Sequence, residues 1–324
     1  MRQPASYLNE AERQRHKNAN LLHSVLLLAG MTAIVSLCTW ALFGTEGIIW
    51  GAIGGALLLL LSPRVSPRVI LPMYGARPIT RRHIPELVDL AEELSRRAGL
   101  RKTPQLYYIP SQILNAFAVG SPEDSSIALT DGMLRAMTVR EMAGILAHEI
   151  SHIRNRDLWV MGLADTMSRL TATMAHVGVF IAFLSLPLAI AGEVRFPWLL
   201  ILFLWLAPTA GSLLQLALSR TREYEADLDA ATLTGDPVGL ASALNKLERR
   251  QGRIWEDLFM PGRRIPDPSL LRTHPPTEER IKRLLALRPS EPPPQDNLPP
   301  VLGIDRRFGP PVRPPRWRFS GPWY

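Results

Sequence analysis

Five consecutive residues, His148-Glu149-Ile150-Ser151-His152, place two imidazoles and a carboxylate at a spacing that suits hydrolytic metal chemistry. On a helix, residues i and i+4 share a face one turn apart, so both imidazoles can reach one tetrahedral Zn²⁺. Glu149 follows the first imidazole and can reach an attacking water without taking its place. The plain alternative is a helix with two hydrogen-bonded histidines and a solvated glutamate. The chain has seven histidines, so a chance H-E-x-x-H is roughly a one-in-a-hundred event, though such motifs carry a false-positive risk.

Catalytic zinc takes three protein ligands and keeps one position open. His16 lies in a basic terminus, His23, Cys38 and His176 lie in or beside apolar runs, and His83 lies in an Arg-rich stretch. Carboxylates are better third ligands. Glu223 and Asp227 are also i and i+4 on a helical stretch, Arg222-Glu223-Tyr224-Glu225-Ala226-Asp227. Glu223 can bind the metal while Asp227 accepts the spare N–H of a histidine ligand and fixes its tautomer. The competing reading is an Arg/Glu face with i,i+4 ion pairs. Beside an H-E-x-x-H that lacks a third ligand, the metal reading is the stronger one.

These residues need elements to hold them. Thr138-Val139-Arg140-Glu141 is a capping box that opens the helix carrying His148 and His152. Pro85 to Gly99 has an amphipathic pattern, with Leu87, Leu90, Ala91 and Leu94 on one face. Strand-like runs fall at Gln105 to Ile109, Asn115 to Val119 and Ser126 to Thr130. The turn Gly120-Ser121-Pro122-Glu123-Asp124 suggests that the last two form a hairpin. Asp236-Pro237 reads as an N-cap and first helical residue, and a late helix is expected from about Pro275 to Leu287.

The 324 residues are 47% hydrophobic, but the apolar residues are concentrated in four runs near 21–43, 48–61, 170–192 and 196–219. Four such runs set aside a purely soluble protein. A single cysteine excludes a disulfide framework or a Cys-rich zinc module. The expected fold is a mainly α integral membrane protein with about four transmembrane helices. A zincin-type α+β catalytic domain would place a small β-sheet or hairpin beside the H-E-x-x-H helix. The last apolar pair either spans fully, or forms a hairpin that is buried or only dips into the membrane.

The expected organisation is a basic N-terminus at 1–20, two spans at 21–62 and a cytoplasmic catalytic segment at 63–169. A third and fourth span follow at 170–219, then a helical catalytic segment at 220–288. The tail, 289–324, holds 11 of the chain's 29 prolines and reads as extended or disordered.

The net charge is +8. The basic residues flank the apolar runs, as orientation in a membrane requires, and this outweighs nucleic-acid binding. The positive-inside rule puts both termini and both catalytic segments on the cytoplasmic side of a prokaryotic inner membrane.

The chain resembles the HtpX-type membrane zinc endopeptidases, relatives of the CAAX prenyl endopeptidases, from about Leu21 to Leu287. The family order is present: two spans, His148-Glu149-x-x-His152, two more spans, then Glu223-x-x-x-Asp227. His152-Ile153-Arg154-Asn155-Arg156-Asp157 is similar to the family's continuation of the catalytic helix. Ile113-Leu114-Asn115-Ala116-Phe117-Ala118 is similar to its substrate-side strand. Thr273-His274-Pro275-Pro276-Thr277-Glu278-Glu279-Arg280-Ile281 is similar to its late His-Pro signature.

The resemblance implies zinc, one per chain, on His148, His152 and Glu223, with Glu149 as general base. It also implies polypeptide substrates, drawn from misfolded or damaged membrane proteins. Asn115, Ala116 and Phe117 either hold an extended substrate by β-addition or are ordinary hairpin residues. His274 either donates to an oxyanion or caps its helix.

Three rivals are weaker. A silent zinc scaffold has no need of Glu149, and structural zinc usually has four protein ligands. An intramembrane or prenyl-processing protease fits poorly with the charged flanks Arg140, Glu141, Arg154, Arg156 and Asp157, or with the small number of spans. A transporter should carry ionisable residues within its spans, which here offer almost none besides His176.

Overall fold

The computed structural model describes residues 10–61, 66–192, 198–257, 277–287, 317–318 and 321–322. His274, the link carrying Glu193 and Arg195, and most of the Pro-rich tail lie outside the described residues.

The elements run α1 (Glu10–Leu61), α2 (Pro67–Met73), β1 (Arg77–Pro78), α3 (Pro85–Arg97), β2 (Gln105–Ile109), β3 (Ala116–Ser121) and β4 (Asp124–Thr130). They continue with α4 (Asp131–Ala136), α5 (Val139–Arg154), α6 (Asp157–Ile190), α7 (Trp198–Thr234), α8 (Pro237–Asp257), α9 (Thr277–Ala286), β5 (Trp317–Arg318) and β6 (Gly321–Pro322). The chain divides into two compact units. One holds the described parts of Met1–His16, Arg64–Leu158 and Glu223–Tyr324. The other holds Lys17–Pro63 and Trp159–Arg222.

In the first unit a four-stranded sheet has the order β1-β2-β4-β3. β3 and β4 form the expected hairpin, in register from Ala116↔Leu129 to Ser121↔Asp124. β2 runs parallel to β4, and the short β1 is antiparallel to β2. Alternation sorts the side chains. Leu106, Tyr108, Ala118, Ile127 and Leu129 enter the main core with residues of α3, α5 and α8. Tyr107, Phe117 and Ala128 belong to a second cluster, with Leu71 and Tyr74. α3 buries the expected stripe, Leu87, Leu90, Ala91 and Leu94.

Both arms of the capping box on α5 form. Thr138 Oγ1 accepts from the Glu141 backbone N–H, and the Glu141 carboxylate accepts from the Thr138 N–H at 2.9 Å. Glu141 also ties α5 to α8, accepting from Ser242 at 2.6 Å and from Lys246 at 2.5 Å. α8 begins as expected, with Asp236 accepting from the Gly239 N–H at 3.0 Å. Gly144 lets the two helices approach closely: a Cβ there would lie 2.9 Å from the Leu240 Cα.

Three helices among the described residues, lying largely in the second unit, are long and apolar enough to cross a membrane: Asn18–Ile49, Asp157–Ile190 and Trp198–Thr234. Their inner contacts include Met31 with Val160, Ala164 and Leu218, and Cys38 with Leu204 and Ala207. Phe180, Phe183, Leu199 and Trp205 stand exposed, where a surface helix in water would carry polar groups.

Between the first two apolar runs, the segment Gly44-Thr45-Glu46-Gly47 lies within α1 as a break at Gly44, whose φ of 67 and ψ of −158 are not helical. Residues eight apart in a straight helix are separated by about 12 Å along the axis. Here a Cβ on Gly47 would lie 2.6 Å from the Thr39 carbonyl oxygen, so the chain doubles back. Helix then continues to Leu61, the end of the expected second span.

Candidate metal centre

α5 presents His148 and His152 one turn apart, and their rings meet edge to face with centroids 4.6 Å apart. The Nε2 atoms converge to 3.1 Å. Glu223, from α7, completes the group: its Oε2 lies 3.4 Å from His148 Nε2 and its Oε1 lies 3.6 Å from His152 Nε2. Ligands about 2.0–2.1 Å from a tetrahedral zinc lie roughly 3.3 Å from each other. The three observed spacings bracket that value. The three residues form a group able to hold a metal ion, their ligand atoms all within 4.8 Å of one another.

The outer nitrogens explain why the inner ones are suited to a cation. His152 Nδ1 lies 2.8 Å from Asp157 Oδ2. His148 Nδ1 lies 3.1 Å from Asp227 Oδ1, close enough to interact but not aligned as an ideal hydrogen bond. A carboxylate beside each Nδ1 favours the tautomer with hydrogen there and a lone pair on Nε2. Two lone pairs 3.1 Å apart, facing a carboxylate, repel one another unless positive charge sits among them. That donor set fits a zinc ion.

The charge balance points the same way. Burial disfavours charge on His148, but the contacts and charges of Asp227 and Glu223 outweigh it and push its pKa up to about 10. Burial opposes charge on His152 as well, and Asp157 leads the contributions that raise it.

Asp157 reaches its position through a tight turn. α5 ends at Arg154, Asn155 caps it, and Arg156 adopts left-handed backbone at φ 57. α6 then opens with Asp157. Non-glycine residues rarely hold that conformation.

Arg280, like Asp157, has a part in the site that its sequence context did not show. It comes from α9 and is 5% exposed. Its Nε and Nη2 donate to the two Asp227 oxygens, each at 2.7 Å, and its Nη1 lies 3.1 Å from Glu223 Oε2. Burial works against its charge, but Asp227 and then Glu223 hold its pKa well above the usual guanidinium value, and Glu149 adds to the effect. A second cation anchors the same helix: the Arg283 guanidinium sits 3.7 Å above the Tyr224 ring. The signal lay in the late signature, where Arg280 follows an acidic first turn; its burial was not visible there.

Glu149 is half-buried and directly follows His148 on α5. Ala116 and Phe117 lie on β3, which among the described residues pairs with β4 alone and has its other edge open. The Phe117 ring packs on Tyr74 of α2, with centroids 5.5 Å apart. Asn115 lies just before β3, its backbone N–H donating to Thr130 Oγ1 at 3.0 Å.

A family model for peptidase family M48 matches residues 82–288, which include every residue of this group. The chain belongs to peptidase family M48. It is 36% identical over 290 residues to a protease HtpX homologue of Desulfatibacillum aliphaticivorans, covering 83% of this chain and 90% of that protein. A protease HtpX homologue of Acidiphilium cryptum is 37% identical over 284 residues, covering 82% and 96%. The crystal structure of S. mikatae Ste24p matches with a TM-score of 0.46 at 21% identity, covering 83% of this chain and 66% of that one. So loose a likeness carries no argument about the site. M48 peptidases are in general zinc-dependent, and with its apolar helices this member is a membrane metalloprotease.

Proposed function

We propose that the chain is a zinc endopeptidase of a prokaryotic cytoplasmic membrane, cutting misfolded or damaged membrane proteins at the cytoplasmic face. The observation that carries this reading is the convergence of His148 Nε2, His152 Nε2 and the Glu223 carboxylate, with Glu149 next along the same helix. A zinc ion on those three ligands would supply Lewis acidity, activating water and polarising the scissile carbonyl.

The rest of the work belongs to the chain's own residues. Glu149 takes the proton of the attacking water as the bond to carbon forms. It delivers that proton to the amine as the C–N bond breaks. Asp157 and Asp227 hold the imidazoles in the ligating tautomer. Arg280 keeps Asp227 and Glu223 in place and balances their charge. The open edge of β3 takes an extended substrate by strand addition, a mode that reads backbone more than side chains and suits unfolded substrates. Two further points belong to this reading. The segment from Glu46 to Ser62 is a second span, and the basic flanks keep both catalytic segments in the cytoplasm.

The test is proteolysis of casein by detergent-purified full-length protein, with zinc and with a chelator, beside Glu149→Gln. Cleavage that needs zinc and disappears in Glu149→Gln is the expected result. Equal cleavage by both proteins would sink the assignment of Glu149.

A further inference from the structure

α2 is a short helix with two distinct faces. Its inner face, Pro67 and Leu71, is buried, and Leu71 packs against the sheet with Tyr74, Phe117 and Ala128. Its outer face carries Val69 and Met73, one turn apart and 65% and 80% exposed. A helix turned to water would place polar or charged groups at those positions.

The surrounding sequence says what such a face meets. α2 begins six residues after Leu61, where a long apolar helical stretch ends. Only five residues separate the two along the chain. Between Glu46 and Glu86 the chain has no acidic residue, but it has Arg64, Arg68, Arg77, Arg81 and Arg82. Arg68, on α2, and Arg77, four residues after its end, are exposed. Arg81 pairs with Asp89 and Glu92, which leaves Arg68 and Arg77 nearest the apolar pair; apolar side chains facing outward, flanked by exposed arginines and tethered to a span, are the chemistry of an element lying in an anionic lipid interface.

We propose that α2 is an interfacial helix, with Val69 and Met73 seated in the bilayer surface and the arginines on anionic headgroups. The consequence concerns substrate. Tyr74, at the end of α2, packs on Phe117 of β3, so docking α2 holds the open strand edge at the lipid surface. Substrate then enters as polypeptide emerging from the bilayer. That consequence rests on the peptidase reading; the docking itself does not.

The test uses the full-length chain in a Cys38→Ala background, reconstituted into vesicles of phosphatidylcholine and phosphatidylglycerol. Val69→Cys, Met73→Cys and Lys102→Cys are each labelled with an environment-sensitive fluorophore, and spin-labelled lipid serves as quencher. Lys102 is an exposed residue of the same unit. Quenching at 69 and 73 should exceed that at 102 several-fold, and should weaken in vesicles of phosphatidylcholine alone. Equal quenching at 73 and 102 overturns the proposal.

Combining Val69→Asp with Met73→Asp should slow cleavage of a bilayer-embedded substrate roughly tenfold while sparing casein, because two anchoring side chains become repelled charges. Equal slowing on both substrates contradicts the substrate consequence. Absence of cleavage by the parent protein counts against the peptidase reading alone, since quenching still decides the docking.

Discussion

At the residue scale, the group able to hold a metal is built in two layers. His148, His152 and Glu223 face inward, while Asp227, Asp157 and Arg280 hold them from outside. Arg280 is the least replaceable of the outer layer, because it balances two buried carboxylates at once. Arg280→Met should destabilise the protein by about 3–5 kcal/mol, the usual cost of leaving a buried charge without its partner. Arg280→Lys should recover only part, since an ammonium cannot donate the two-pronged bond that Asp227 receives. Denaturant unfolding of the three proteins measures this, and equal stability of Arg280→Met and the parent would contradict it. The inner layer and Asp227 were legible in the sequence because helical spacing aligns 148 with 152 and 223 with 227. Arg280 and Asp157 were not. Their roles depend on where α9 and the Arg156 turn deliver them, which no local spacing encodes.

At the element scale, α5 is fixed by its first turn and by its contact with α8. Glu141 serves both: it closes the capping box and accepts from Ser242 and Lys246. Burial alone would raise its pKa, but Lys246, Ser242 and Thr138 outweigh it and hold the carboxyl below the ordinary value. A carboxyl lowered in the folded state stabilises fully above its unfolded pKa, and that contribution is lost as pH falls through the folded one. Melting temperature should therefore drop on acidification below the ordinary glutamate range, and Glu141→Gln should lose much of that dependence. Identical pH profiles would contradict the role given to Glu141. Gly144→Ala should cost about 1–3 kcal/mol, because its methyl meets the Leu240 backbone and a helix must shift. Thermal unfolding checks this, and an unchanged stability would show that α8 can move away freely. The capping box, the hairpin and the start of α8 were readable because each is a local rule. The strand β1 was not, being two residues long and defined only by its partner.

At the scale of the whole molecule, the apolar runs were plain in the composition. The break that divides α1 at Gly44 was readable as a turn, since two glycines flank Thr45-Glu46. What composition could not supply is whether each helix crosses fully. If α6 and α7 are a spanning pair, Ala191→Cys in a Cys38→Ala background should react with a membrane-impermeant thiol reagent added outside intact spheroplasts. Lys102→Cys should react only after the membrane is opened. Protection of residue 191 would show a pair that dips without crossing.

His148, His152 and Glu223 should form one metal site, with Glu149 beside it but not part of it. Zinc content of the purified full-length protein tests it most directly. The parent and Glu149→Gln should each carry one zinc per chain, while His148→Ala and Glu223→Ala should lose it. Zinc retained at the parental level in Glu223→Ala would contradict the site as drawn.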